Sequence, residues 1–153
     1  MSFSDCTGST DITTVIQTSE SYGNIYPLIE IKGNYSGDPP STPDDSREEI
    51  TITNNDDLAV EVDSNGVTTT PRSLTLHVPH TAIYIDCEKT TIYDIISAGS
   101  MGYNRILDWE DLGLTDISYI YWPRLFNGEN HWTITGNCDI TLRYREPRKV
   151  GAY

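Results

Sequence analysis

The feature that most constrains this chain is a period-two alternation of apolar and polar residues, carried in runs broken by turn chemistry. Glu49-Ile-Thr-Ile-Thr53 and Leu58-Ala-Val-Glu-Val62 alternate cleanly. Leu74, Leu76 and Val78 fall on one side of a run, with Thr75 and His77 on the other. Ile83 and Ile85 oppose Tyr84 and Asp86, and in Tyr26–Ile31 Leu28 opposes Ile29 and Ile31. Ile12–Ile16 is short and β-branched. Near the end, Trp132 and Ile134 share one face, and Ile140, Leu142 and Tyr144 supply the next. Side chains two apart lie on the same face of a strand, so the spacing predicts half-buried strands in antiparallel sheets.

The breaks are turn signals. Asn34–Ser46 is a long polar loop containing Gly37, Pro39, Pro40 and Pro43. Asn54–Asp57 reads as a turn, Asp63-Ser-Asn-Gly66 as another, and Gly136-Asn137 as a two-residue hairpin with glycine first. Helix signal is confined to Ile106–Leu114, one or two turns interrupted by Gly113. The expected fold is all-β: an antiparallel β-sandwich, jelly-roll or galectin-like, with roughly ten short strands and little helix. A chain of 153 residues suits one such domain. The expected division is an N-terminal arm or edge strand over 1–20, the sandwich over 21–148 and a short tail over 149–153.

Charge bears on partners. The net charge is -13, from 23 acids against 10 Lys and Arg. Such a chain repels phosphate backbones, which disfavours nucleic acid and anionic membranes as partners. The acids crowd between Asp38 and Asp63, where Arg47 is the sole base, while Arg143, Arg145, Arg148 and Lys149 cluster near the C-terminus. That asymmetry suits docking between copies or onto a partner of opposite sign, and it equally fits two solvated ends that keep a protein soluble. The candidate assembly interface is therefore Arg143, Arg145, Arg148 and Lys149 against Asp44, Asp45, Glu48 and Glu49. MSFSDCTGST has no signal-peptide pattern, no run approaches the ~20 apolar residues of a membrane span, and the cysteines Cys6, Cys87 and Cys138 are odd in number. The expectation is a soluble protein made in a reducing cytoplasm, with Cys87 and Cys138 as small core residues.

Catalytic motifs fail one by one. Ser97-Ala-Gly-Ser-Met-Gly102 lacks the spacing of a hydrolase elbow. His77 and His80 are three apart and face opposite sides of a strand, so they do not converge on a metal. Asp63-Ser-Asn-Gly66 opens like a calcium loop, but Thr68 stands where that loop needs glycine and Leu74 where it needs a bidentate acid. Adjacent carboxylates such as Asp56-Asp57 point apart in a strand, so their adjacency says nothing about a catalytic pair. No catalytic residue, metal site or cofactor is expected. The aromatics Trp109, Tyr119, Tyr121 and Trp122 are the candidate surface for a saccharide or a protein partner.

Three stretches in order resemble the siphophage distal tail proteins. The last, Trp122–Arg148, carries Pro123, Leu125, Gly128-Glu129-Asn130, Thr135-Gly136 and Tyr144-Arg145 in the order that family uses to close its final domain. Gly23–Gly33, with its Tyr26-Pro27 pair, is similar to the opening segment, and Ala82–Asp94 to the middle pair of strands. The resemblance spans about residues 20–148. It implies a structural part of a phage tail tip or baseplate, present in several copies in a ring-symmetric assembly, contacting other tail proteins and located in the virion after assembly in the bacterial cytoplasm. Only about 20 residues precede the matching region, so the ring-forming domain that usually comes first in that family is not expected here. A carbohydrate-binding module that adheres to the host surface is the alternative, with a host saccharide as partner, because this class of sandwich also serves sugar binding.

Overall fold

The computed structural model describes residues 1–16, 24–34, 47–94, 103–104, 110–114 and 119–145. Its strands are β1 (Ser2–Cys6), β2 (Ser9–Ile16), β3 (Leu28–Gly33), β4 (Arg47–Asp63), β5 (Gly66–Pro79), β6 (Ile83–Asp86), β7 (Thr91–Asp94), β8 (Tyr103–Asn104), β9 (Gly128–Thr135) and β10 (Cys138–Arg143). No helix occurs among the described residues. Glu110–Gly113 is a turn closed by the Gly113 N–H on Glu110 O at 3.0 Å, and the rest of the predicted helical stretch lies outside the described residues. One sheet runs β1-β10-β3-β6-β7-β8 and the other β2-β9-β4-β5. All pairings are antiparallel.

The alternation explains the core. Ile29, Ile31, Ile83, Ile85, Ile92, Ile140 and Leu142 of the first sheet and Ile12, Ile50, Ile52, Leu74, Leu76, Trp132 and Ile134 of the second are buried in one cluster. Each large side chain removed from water contributes about 1.5–3 kcal/mol. The chain is thus an antiparallel β-sandwich.

The terminal strands are not a hairpin. β9 belongs to the second sheet, between β2 and β4, and β10 to the first, between β1 and β3. Gly136-Asn137 is the corner where the chain changes sheets. β1 and β2 make the same change at Thr7-Gly8, and the Gly136 N–H donates to Gly8 O at 2.8 Å. One register runs from Cys6↔Cys138 to Ile16↔Gly128. The two chain ends therefore form one antiparallel ribbon folded over the sandwich edge, with glycine at the bend as such corners require. Gly136 has φ +118°, and a Cβ there would lie 2.5 Å from Glu49 O. Among the described residues, β1 and β2 are consequently edge strands, one in each sheet.

β4 and β5 depart from the expectation of short strands, at 17 and 14 residues. The Asp63–Gly66 turn joins them as predicted. Asn54–Asp57 does not form a turn. It is a bulge inside β4, where the register jumps from Asn54↔Arg72 to Leu58↔Pro71. Before the bulge the even-numbered residues Ile50 and Ile52 face the core. After it Leu58, Val60 and Val62 stand opposite Pro71, Thr69 and Val67. Those β5 partners are odd-numbered, on the face away from buried Leu74, Leu76 and Val78. The bulge flips the alternation to the outside, as any odd insertion in one strand must.

Among the described residues the β4–β5 pair is a two-stranded arm beyond the bulge, since β9 pairs β4 only over Thr51–Asn54. Its six-residue strands reach about 20 Å at ~3.3 Å per residue. One face carries Leu58, Val60, Val62 and Val67, which are 43, 61, 75 and 68% exposed. The other carries Ala59, Glu61, Thr68 and Thr70. The alternation at Leu58–Val62 therefore marks a strand, but its apolar side meets solvent rather than the core.

Candidate functional site

The arm is fastened at its base by the four bulge residues. Asp57 is buried, and its carboxylate accepts from Arg124 Nε at 2.7 Å, Arg124 Nη2 at 3.0 Å and Tyr121 Oη at 2.8 Å. Arg72 Nε lies 3.5 Å away as a second cation. Buried Asn54 donates to Arg124 O at 2.7 Å and Tyr121 Oη at 3.1 Å. Asn55 Nδ2 donates to Thr133 Oγ1 at 2.9 Å. Asp56 Oδ2 accepts from the His131 backbone N–H at 2.6 Å, and its carboxylate also faces His131 Nδ1 at 3.2 Å. A polar tetrapeptide becomes a bulge here because each side chain finds a partner on the 119–135 segment.

That segment is itself held. Ile25 and Leu125 exchange backbone hydrogen bonds of 2.9 and 2.7 Å. Buried Asn130 accepts from the Phe126 N–H at 2.7 Å and donates to Phe126 O at 2.8 Å. Arg124 is thereby set under the arm, with its guanidinium carbon 5.2 Å from the Phe126 ring centroid.

The charges in this cluster are fixed. The hydrogen bonds from Arg124 hold the Asp57 carboxyl below the usual carboxylate range, against the opposing cost of burial and with help from Tyr121. Burial, then the bond to Asp57, pushes the Tyr121 phenol up. Arg124 is held further toward its cationic form by Asp57. On the solvent face, Glu129 and then Asp56 raise the His131 pKa. Among the described residues no three His, Cys, Asp or Glu side chains converge as a metal site.

Beside the clamp opens a cleft of about 620 Å³, lined by Tyr26, Arg72, Glu88, Tyr119, Trp122 and Arg124 among others. Tyr121 and Asp57 form part of its wall. Three of the four predicted aromatics, Tyr119, Tyr121 and Trp122, therefore meet in one place, and Tyr119 is exposed. Trp109 lies outside the described residues.

Of the residues expected to dock one copy against another, Arg143, Arg145, Glu48 and Glu49 are described. Arg143 is exposed on the outer face of the first sheet, where its Nη2 meets Glu30 Oε2 of the same chain at 2.8 Å. Arg145 is exposed just past β10. Glu48 and Glu49 begin β4 in the other sheet, with Glu49 Oε2 3.4 Å from His77 Nε2. Arg143 is thus already paired inside its own chain, on the sheet opposite to those acids. Asp44, Asp45, Arg148 and Lys149 lie outside the described residues. Sequence reasoning missed Asp57, Arg72 and Arg124 as a unit, and missed the outward face of the arm. Arg124 lies 67 residues from Asp57 in the chain, and nothing local announces their pairing.

Comparison with known proteins finds no matching family model, no matching curated protein and no matching solved structure.

Proposed function

We propose that this chain is a structural docking module of a bacteriophage tail tip or baseplate, and that the β4–β5 arm engages a neighbouring subunit. The carrying observation is the arm's apolar face. A two-stranded ribbon is marginal on its own, and four exposed aliphatic side chains on one side of it are a contact surface awaiting a partner. The bulge supports this reading, since a buried ion cluster is spent on turning that face outward. The ordered distal-tail motifs supply the setting: a virion component, assembled in the bacterial cytoplasm. The test is incorporation into particles. Val60→Glu, Val62→Glu and Val67→Glu together should leave circular dichroism and thermal unfolding near wild type and abolish incorporation. Incorporation at the wild-type level would sink the arm as the docking element.

The cleft favours a second reading, a saccharide-binding surface. Tyr119 and Trp122 offer ring faces, and Arg124, Arg72 and Glu88 offer hydrogen-bonding neighbours. Titration with host-wall oligosaccharides, followed by tryptophan fluorescence, should saturate with the wild type and not with Trp122→Ala. Absence of saturation with the wild type would remove this reading.

A further inference from the structure

We propose that Cys6 and Cys138 are a site of oxidative cross-linking, which joins the first strand to the last by a disulfide while Cys87 stays a thiol. Cys6 on β1 and Cys138 on β10 are direct partners across the antiparallel ladder. Such partners share a face and hold their Cα atoms about 4.5–5.5 Å apart, inside the 4.4–6.8 Å that a disulfide spans. Both side chains are buried and turned to the core, and each thiol lies within hydrogen-bonding reach of the other. All three cysteines are free in the structure.

The backbone around the pair favours closure. On one side the ladder is pinned at the Gly8–Gly136 corner. On the other, β1 is bulged between Phe3 and Cys6, and that play lets the Cβ atoms approach by the roughly 1 Å a disulfide needs. Cys87 is excluded by topology. It follows β6, and β3 lies between β6 and β10, so two strand spacings of about 4.8 Å separate it from the pair. Its backbone N–H is held by Pro27 O at 3.2 Å.

The chemistry is thiol–disulfide exchange with a small-molecule disulfide such as oxidised glutathione. One protein thiolate attacks it, forming a mixed disulfide and releasing one glutathione thiolate. The second protein thiolate then displaces the other glutathione. One S–S bond is made in the protein and one is consumed, both protein thiol protons go to solvent, and glutathione takes up the two electrons. Burial holds the Cys138 thiol up to about 12 and raises that of Cys6, so the reaction is slow and accelerates in mild alkali. Access comes through β1, which among the described residues has a neighbouring strand on one side only. The product is a covalent loop from residue 6 to residue 138, which stops β1 from leaving its sheet or exchanging with another copy. For a virion protein, the bond would form once the particle leaves a reducing cytoplasm. The cross-link itself does not depend on that setting.

The experiment uses the full chain, incubated with oxidised glutathione at mildly alkaline pH, then denatured and alkylated. The expected result is loss of two hydrogens by intact mass, a single peptide pair joining Cys6 to Cys138, and alkylation at Cys87 alone. Thermal unfolding should rise by roughly 5–15 °C and return on reduction. Cys87→Ser should behave as wild type, and Cys6→Ser or Cys138→Ser, whichever folds, should give no intramolecular bond. Three alkylatable thiols after prolonged oxidation, or a bond involving Cys87, would overturn the proposal.

Discussion

Replacing Asp57 by Asn removes the charge at the centre of the arm's clamp and keeps its shape. The carboxylate accepts three hydrogen bonds from Arg124 and Tyr121 and lies 3.5 Å from Arg72. Removing one partner of a buried ion pair costs about 3–5 kcal/mol. The Arg124 and Arg72 side chains are 31% and 36% exposed, so water rehydrates them in the variant. The lower end, about 3 kcal/mol, is therefore expected. For a chain of this size that lowers the melting temperature by roughly 6–12 °C. The assay is urea unfolding across a pH series. A carboxyl held below its ordinary range contributes stability that is complete above the unfolded value, near about 3.9, and lost as pH falls through the folded value. The difference between wild type and Asp57→Asn should be constant at neutral pH and close below about pH 4. A difference under about 1 kcal/mol at neutral pH, or one that persists in acid, would refute the clamp.

Two further outcomes follow from the surroundings of the arm. His131 should titrate above its ordinary value by NMR, and Glu129→Gln should lower its midpoint more than Asp56→Asn does. Because that pKa is raised, any stabilisation it confers is present below the unfolded value and disappears as pH climbs through the folded one; a midpoint at or below about 6.5 would contradict the geometry. Asn130→Ala leaves the Phe126 N–H and O without their partner, and each such buried group costs about 1–3 kcal/mol. A melting temperature within a degree or two of wild type would show that the 126–130 loop does not depend on this side chain.

Local pattern made much of the sandwich legible. Alternation at Glu49–Thr53, Leu74–Val78, Ile83–Asp86 and Ile140–Leu142 marks the strands and their buried faces, because one buried face is what alternation records. The Asp63–Gly66 turn is legible because Asp63 Oδ1 accepts from the Asn65 N–H at 2.8 Å and Gly66 takes the positive φ of +127°. The Gly136-Asn137 corner is not. Glycine with positive φ serves a hairpin and a sheet change equally, and the choice is made by Gly8 and Glu49, which are distant in the chain. Asn54–Asp57 reads as a turn from composition, yet it stays in a strand because Tyr121, Arg124 and His131 satisfy its side chains. That bulge inverts the facing of Leu58–Val62, and a period-two pattern says nothing about which face is covered. Of the candidate site, Tyr119, Tyr121 and Trp122 were visible as a cluster, but their ionic floor was not.

The proposed docking of this chain at a tail tip is tested by immunogold labelling of phage particles from cells that carry its gene, with antibody raised against the folded chain. Gold should cluster at the distal end of the tail. Intact particles without gold there, under conditions where the antibody detects the folded protein, would contradict it.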